Sequence, residues 1–412
     1  MPFSVFVIRQ GNYRKEADMI YLDNAATTRM KPAVLEEMLP YFTENFGNPS
    51  AVYSLANKSK FAIDRARDQV AALLNTRAER IFFTSGGSES DNWAITETVR
   101  MMASKGRHVI TTAIEHPAVL NTCRALELEG YEVTYLPVND QGFVTAEQVE
   151  DAIREDTVLV SVMFANNEIG TIEPVAKIGE VCQRKNVLFH TDAVQAFGQL
   201  PIDPEQMHID LLSASGHKIY GPKGIGVLYL GPRASKIRSL IHGGSQERGK
   251  RAGTENIPAI VGLGKACEMA RETLFQRMER ESSLRDYMKE KILETIPHTK
   301  WHGSDGDRRL PGNLNFGFRF AEAESVLILL DQRGIAASSG SACTAGSIDP
   351  SHVLMAIGAD EDEGRESIRL TLSDETTKEE LDECAKQLKD IVTMLRSHSL
   401  LYEDFLNRSG GE

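Results

Sequence analysis

Three short stretches combine residue types that can do chemistry together, and a fourth carries a thiol in an unusual setting. In residues 213–226, SASGHKIYGPKGIG, Lys218 follows Ser215, Gly216 and His217 and precedes a glycine-rich return. A lysine that leaves a strand into a cleft is a Schiff-base candidate, because burial or nearby cations lower its pKa and free its amine. Ser215 and His217 beside it are placed to bind phosphate. In residues 190–195, HTDAVQ, Asp192 sits just past an apolar strand, where a carboxylate is poorly placed without a partner. A pyridinium N–H suits it, since the carboxylate keeps such a ring protonated and so an electron sink. Gln195, three residues on, can reach a phenolic oxygen of that ring. In residues 84–90, TSGGSES, a strand gives way to a helix. Gly86 and Gly87 let backbone approach a ligand, Ser88 offers a hydroxyl, and the helix start offers free N–H groups to a phosphate.

Each stretch alone also has a plain structural reading. TSGGSES reads as a glycine turn with a serine N-cap and a capping-box glutamate, and Glu89 there disfavours a second negative charge. Asp192 reads as a helix N-cap, and Lys218 as a solvated loop lysine. The three occurring together, in order, favour the chemical reading.

The fourth stretch concerns Cys343. Cysteines stand at 123, 182, 267, 343 and 384, an odd count with no C-x-x-C pair, which argues against a disulfide framework or a zinc site and for a reducing compartment. Four lie in apolar helical patterns, where a thiol packs as a small hydrophobe. Cys343 instead sits in SSGSACTAGS, small and polar, which reads as an exposed loop. An exposed thiol invites oxidation and contributes nothing to packing, so from the pattern alone a functional thiol and an ordinary loop cysteine stand about even.

The elements that must position these groups alternate along the chain. Strands are expected at 80–84, 108–112, 132–136, 158–164, 187–190, 211–214 and 226–230, with helical patterns at 89–102, 118–129, 146–154 and 175–185 between the earlier ones. Such alternation implies a mostly parallel sheet with helices on both faces. Ligands of such sheets bind at the carboxyl ends of strands, where the three stretches fall. A long helical stretch from about 257 to 296 leads out of this unit. A smaller mixed region follows, with strands near 313–318 and 368–371, helices at 322–332 and 378–396, and a polar tail from Ser397 expected to fray.

The bulk numbers fit a globular α/β chain of about two domains: 412 residues, 41% hydrophobic, 25% charged, net charge −13. The only basic cluster is short, at 247–251, so direct nucleic-acid binding is not expected. No apolar run reaches the roughly 18 residues that cross a bilayer, and a cytoplasmic location is expected. Met19 directly precedes IYLDNAATT, so residues 1–18 are set aside as an extension that need not be native.

YLDNAATT, GNPS, TSGGSESDN, EHPAVLNTC, NNEIG, HTDAVQAFG, SGHKIYGPKGIG, RAGTEN and SSGSACTAGS together resemble a NifS-like cysteine desulfurase of the class V aminotransferase superfamily, from about Ile20 to Ser373. The resemblance implies the fold-type I architecture of pyridoxal-phosphate enzymes. It places the large cofactor domain at 30–265 and a small α+β domain at 19–29 plus 266–412. It implies pyridoxal 5'-phosphate bonded to Lys218, with Asp192 on the ring nitrogen, Gln195 on the phenolic oxygen and His116 on the ring face. Gly87, Ser88, Ser215 and His217 would hold the phosphate, with Thr254 reaching over from the other subunit of a homodimer. Asn167 and Arg369 would fix the substrate carboxylate, Arg369 as a bidentate clamp.

The implied reaction converts L-cysteine to L-alanine. Lys218 takes the Cα proton. The Cys343 thiolate, activated by His116 or the cofactor, then attacks the substrate sulfur. The persulfide passes to an acceptor protein serving iron–sulfur cluster assembly, tRNA thiolation or thiocofactor synthesis. No resident metal is implied beyond transient ligation of a cluster by Cys343. Two departures stand out: Ser88 replaces the more usual threonine, and Asp374 follows Ser373 where the family usually has glycine. Selenocysteine lyase or cysteine-sulfinate desulfinase activity fits the same fold, and the Ser-rich Cys343 loop favours cysteine. An aminotransferase or a non-catalytic sulfur relay is the more distant alternative.

Overall fold

Thirteen strands run through the described residues, 19–339 and 350–409, of this computed structural model. The first, β1 (Ile20–Tyr21), stands apart from the seven that follow: β2 (Ile81–Thr84), β3 (His108–Thr112), β4 (Glu132–Leu136), β5 (Thr157–Ser161), β6 (Leu188–Asp192), β7 (Leu211–Ser215) and β8 (Gly226–Leu230). These seven form one sheet in the order β2-β8-β7-β6-β5-β3-β4. Pairing is parallel from β7 to β4, and β8 runs antiparallel to both β7 and β2. Six strands therefore point the same way, and their carboxyl ends share one edge. Every residue of β2, β3, β5, β6, β7 and β8 is buried, as expected for strands covered by helices on both faces. The strands expected from the sequence appear within a few residues of their positions.

The five remaining strands are β9 (Thr299–Trp301), β10 (Asn313–Phe318), β11 (Ile335–Ala336), β12 (Ser338–Ser339) and β13 (Ser367–Thr371). The order β12-β13-β10-β9 makes a four-stranded antiparallel sheet, and β1 pairs in parallel with β11. The N-terminal strand thus joins the C-terminal region, and Leu22 packs with Phe316, Phe318, Leu370 and Leu388.

A single helix, Ile257–Thr295, links the two hydrophobic cores. Its first half contributes Ile260, Leu263 and Cys267 to the core of the large sheet, and its last turns contribute Met288 and Ile292 to the core of the smaller one. Asn256 caps its start by accepting the Ala259 N–H at 3.3 Å. The helix Ser54–Leu73, which was not foreseen, lies along that first half. Their approach is close: a Cβ on Gly264 would come within 2.7 Å of Ala66.

The tail departs from expectation. Instead of fraying, Leu400–Ser409 forms a helix. Phe405 sits edge-on to His298 at 5.1 Å, and Tyr402 lies 5.5 Å from Phe320. Two aromatic side chains with partners outweigh a polar composition.

Cys123, Cys182, Cys267 and Cys384 are all buried, as their apolar settings imply. Burial pushes the thiols of Cys182 and Cys384 up to about 12, so neither is a nucleophile. Cys343 lies outside the described residues.

Candidate active site

The shared edge of the large sheet gathers most of the residues singled out from the sequence. At the end of β2, the chain turns at Ser85–Gly86 into the helix Gly87–Met101. Glycine at 87 is required by a neighbour: a Cβ there would come within 2.6 Å of the Val194 methyl. Glu89 opposes an anion at this helix start less than its charge implies. Arg251 binds its carboxylate through two N–H donors, at 2.9 and 3.1 Å, and the Ser85 N–H adds a third contact.

At the end of β6, Asp192 is buried and its Oδ1 accepts the Val194 N–H at 2.9 Å. Burial pushes its carboxyl up, against the lowering influence of His116, the Val194 N–H and Lys218. His116, after β3, caps the helix Pro117–Leu128 through Nδ1, which accepts the Ala118 N–H. That lone pair being engaged, the ring proton belongs on Nε2.

Behind this pair stands Asp91, which the sequence reading missed. It lies four residues after Gly87, on the same helix face. One donor atom each of Asp91, His116 and Asp192 falls within 4.8 Å of the others. Asp91 is 1% exposed and its Oδ1 has no hydrogen-bond partner among the described residues. Burial, then the charge of Asp192, drives its carboxyl well above the usual range. His190 behind them supplies no cation, because burial lowers its pKa to about 3; it hydrogen-bonds Ser161 and Ser213 at 2.8 and 3.0 Å. Two buried acids therefore lie side by side here, and each raises the cost of ionising the other.

Lys218 leaves β7 in the single turn Gly216–Lys218. Its amine donates to the carbonyls of Ala25 and, at 2.8 Å, Ala26. Gln195 Nε2 reaches the same Ala25 carbonyl at 3.0 Å, and the His217 ring meets the Thr27 hydroxyl at 3.1 Å. Burial, then the Lys218 and Lys223 charges, lowers His217 to about 4, so it is a neutral ring at pH 7. Ser215 is buried at the strand end, whereas Ser88 and Thr254 are exposed on this single chain.

A phosphate fits the Gly87 helix start with Ser88 beside it, a protonated ring nitrogen fits Asp192, and an aldehyde fits the Lys218 amine. Residues 20–384 match the family model described as aminotransferase class-V. A Clostridium botulinum protein named cysteine desulfurase IscS is 53% identical over 388 residues, 94% of this chain and 98% of that relative. A solved NifS-like protein superposes with a TM-score of 0.85 at 37% identity, covering 91% of this chain and 100% of its own. The structure of SspA in complex with cysteine gives 0.75 at 42% identity, covering 86% of this chain and 98% of its own. The chain belongs to the class-V aminotransferase family, in its cysteine desulfurase group.

In this desulfurase-family chain, the other end of the pocket is built from β13 and the loop after β5. Arg369, on β13, is 2% exposed. Its Nη2 donates to the Asp23 carboxylate at 2.8 Å, its Nη1 to the Asn167 carbonyl at 3.1 Å, and its Nε has no partner among the described residues. Next to Asn167, Glu168 is buried and accepts the Ser351 hydroxyl. Burial pushes its carboxyl up to about 7, against the pull of Ser351 and Arg369. The two ends meet at one β-turn, Asp23–Ala26, closed by the Ala26 N–H on the Asp23 carbonyl at 3.0 Å. Asp23 holds the guanidinium, while the carbonyls of Ala25 and Ala26 accept the Lys218 amine. Among the described residues, no helix is long and apolar enough to cross a membrane.

Proposed function

We propose that this chain converts L-cysteine to L-alanine and carries the sulfur as a persulfide on Cys343, with pyridoxal 5'-phosphate bonded to Lys218. The observation that carries the reading is the turn Asp23–Ala26. Within four residues it supplies the carboxylate that pairs with the Arg369 guanidinium and the carbonyls that accept the Lys218 amine, which supports one site served by both cations. An α-amino acid needs both. The cofactor, when bound, supplies an electron sink for the charge left at Cα.

The chain's own residues do the rest. Arg369 and Asn167 orient the carboxylate. Asp192 would hold the ring nitrogen, Gln195 the phenolic oxygen, and His116 the ring face. Gly87, Ser88, Ser215 and His217 would hold the phosphate, with Thr254 contributed by the second subunit. Lys218, released as a free amine, moves the Cα proton. The Cys343 thiolate then attacks the substrate sulfur. An S–S bond forms, the C–S bond breaks, and the electron pair stays on the carbon skeleton, which takes one proton and leaves as alanine.

A homodimer is supported by exposed large apolar residues around the helix Ser54–Leu73: Phe42 (59%), Phe46 (64%), Val52 (99%) and Phe61 (71%). The persulfide goes to a sulfur-acceptor protein, and the reduced, buried thiols suit the cytoplasm.

The test is to supply the purified protein with pyridoxal phosphate, L-cysteine and a thiol reductant, and to measure alanine and sulfide. Equal amounts of both are expected. Cys343→Ala should keep the visible absorbance of the bound cofactor and release no sulfide; full turnover in that variant would remove Cys343 from the reaction. Faster turnover of L-selenocysteine or cysteine sulfinate would reassign the substrate.

A further inference from the structure

We infer that Asp23 is the positioning residue of the carboxylate clamp, holding the Arg369 guanidinium so that its remaining N–H donors face the substrate. The inference rests on the reading of Arg369 as the group that receives the carboxylate of cysteine. A guanidinium has five N–H donors. Here Asp23 and the Asn167 carbonyl engage Nη2 and Nη1, while Nε–H stays buried without an acceptor among the described residues. A buried, unpaired donor on a permanent cation is unfavourable unless an anion completes it. Asp23 and Asn167 therefore fix the orientation of the group without saturating it.

Asp23 can do this because its own backbone is tied to the strand that carries Arg369. Asp23 bridges Thr371, two residues along β13, and the Thr371 N–H donates to the Leu22 carbonyl at 2.7 Å. The Tyr21 hydroxyl donates across the Asp23–Ala26 turn to the Thr27 carbonyl at 2.7 Å. The other acid near the guanidinium, Glu168, accepts a hydrogen bond from Ser351 instead. Asp23 is thus the carboxylate that pairs with Arg369 among the described residues.

The opposite possibility is that Asp23 merely occupies the place of the substrate carboxylate and is displaced by it. The two differ in sign. If Asp23 positions the clamp, removing it weakens cysteine binding; if it competes, removing it strengthens binding.

The experiment compares holoenzymes: wild type, Asp23→Asn, Asp23→Ala, Arg369→Gln and the double variant Asp23→Asn/Arg369→Gln. The expected result is a rise in KM for L-cysteine of roughly tenfold in Asp23→Asn, as for loss of one charge-assisted bond, and more in Asp23→Ala. The change in kcat should stay within about threefold and the cofactor absorbance should be retained. In the Arg369→Gln background, Asp23→Asn should add almost nothing, because its effect runs through the guanidinium. An unchanged or lower KM in Asp23→Asn, or full additivity in the double variant, overturns the inference. Retention of L-alanine in equilibrium dialysis reads the clamp without turnover and should weaken in parallel. A wild-type protein that retains alanine but makes none from cysteine would sink the functional reading and leave the clamp standing.

Discussion

The two ends of the pocket are electrostatic opposites. Around Asp192 the chain buries two carboxylates, with a neutral His190 behind them. Around Arg369 it buries a guanidinium that pairs with Asp23 but whose Nε has no acceptor among the described residues. One end is acidic, with the Lys218 amine as its nearby cation, and the other keeps a donor for a further acceptor. A protonated ring answers the first and an amino-acid carboxylate the second, so the comparison teaches that the two ends act on different partners. Damage at one should change the chemistry, and damage at the other the binding.

The largest expected effect is at the acidic end. Asp192→Asn leaves the shape intact but removes the charge that keeps a ring nitrogen protonated. It should lower kcat by roughly 100-fold or more, with KM for cysteine changed far less. Steady-state kinetics on the cofactor-loaded variant read both numbers, and an unchanged kcat would break the comparison.

At the basic end, Arg369→Gln should act the other way round. Loss of a charge-assisted clamp should raise KM by about 10- to 100-fold, with kcat largely kept. A variant in which kcat alone falls would place Arg369 in the chemistry instead.

A smaller effect sharpens the acidic end. Glu115 accepts hydrogen bonds from Thr112 and the Met163 N–H, both at 2.8 Å, yet its Oε2 has no partner among the described residues. Burial pushes its carboxyl from 4.5 up to about 8, with the Asp192 charge adding to the rise. The folded state thus keeps a proton that the unfolded chain has released. Its contribution to stability is complete below pH 4.5 and is lost as the pH climbs through 8. Denaturant unfolding of the cofactor-free protein between pH 6 and 8 should show wild type losing up to roughly 1 kcal/mol per pH unit more than Glu115→Gln. Parallel curves would show that Glu115 is already ionised in the fold.

The sequence revealed the acidic end more fully than the basic one. Lys218, Asp192 and Gly87 each follow a buried strand, and such punctuation at strand ends is visible in one dimension. Their convergence follows from parallel pairing, which the strand–helix alternation implied. Asp91 was hidden because it looks like any helix residue until its distance to Asp192 is known. Asp23 was hidden for a similar reason: its partner stands at the far end of the chain, and the bridge from Asp23 to Thr371 on β13 brings them together. The helix Ser54–Leu73 escaped notice because its buried face mixes small alanines with Ser59 and Arg67, which blurs the apolar stripe. The tail helix escaped because Tyr402 and Phe405 are stabilised by rings far away in sequence.

The measurement that tests the account most directly is borohydride reduction of the pyridoxal-phosphate-loaded protein, followed by peptide mapping. The account predicts the reduced cofactor on Lys218 and, after a pulse of L-cysteine without reductant, one extra sulfur on Cys343. A cofactor fixed to any other lysine, or sulfur found on one of the four buried cysteines in place of Cys343, would contradict it.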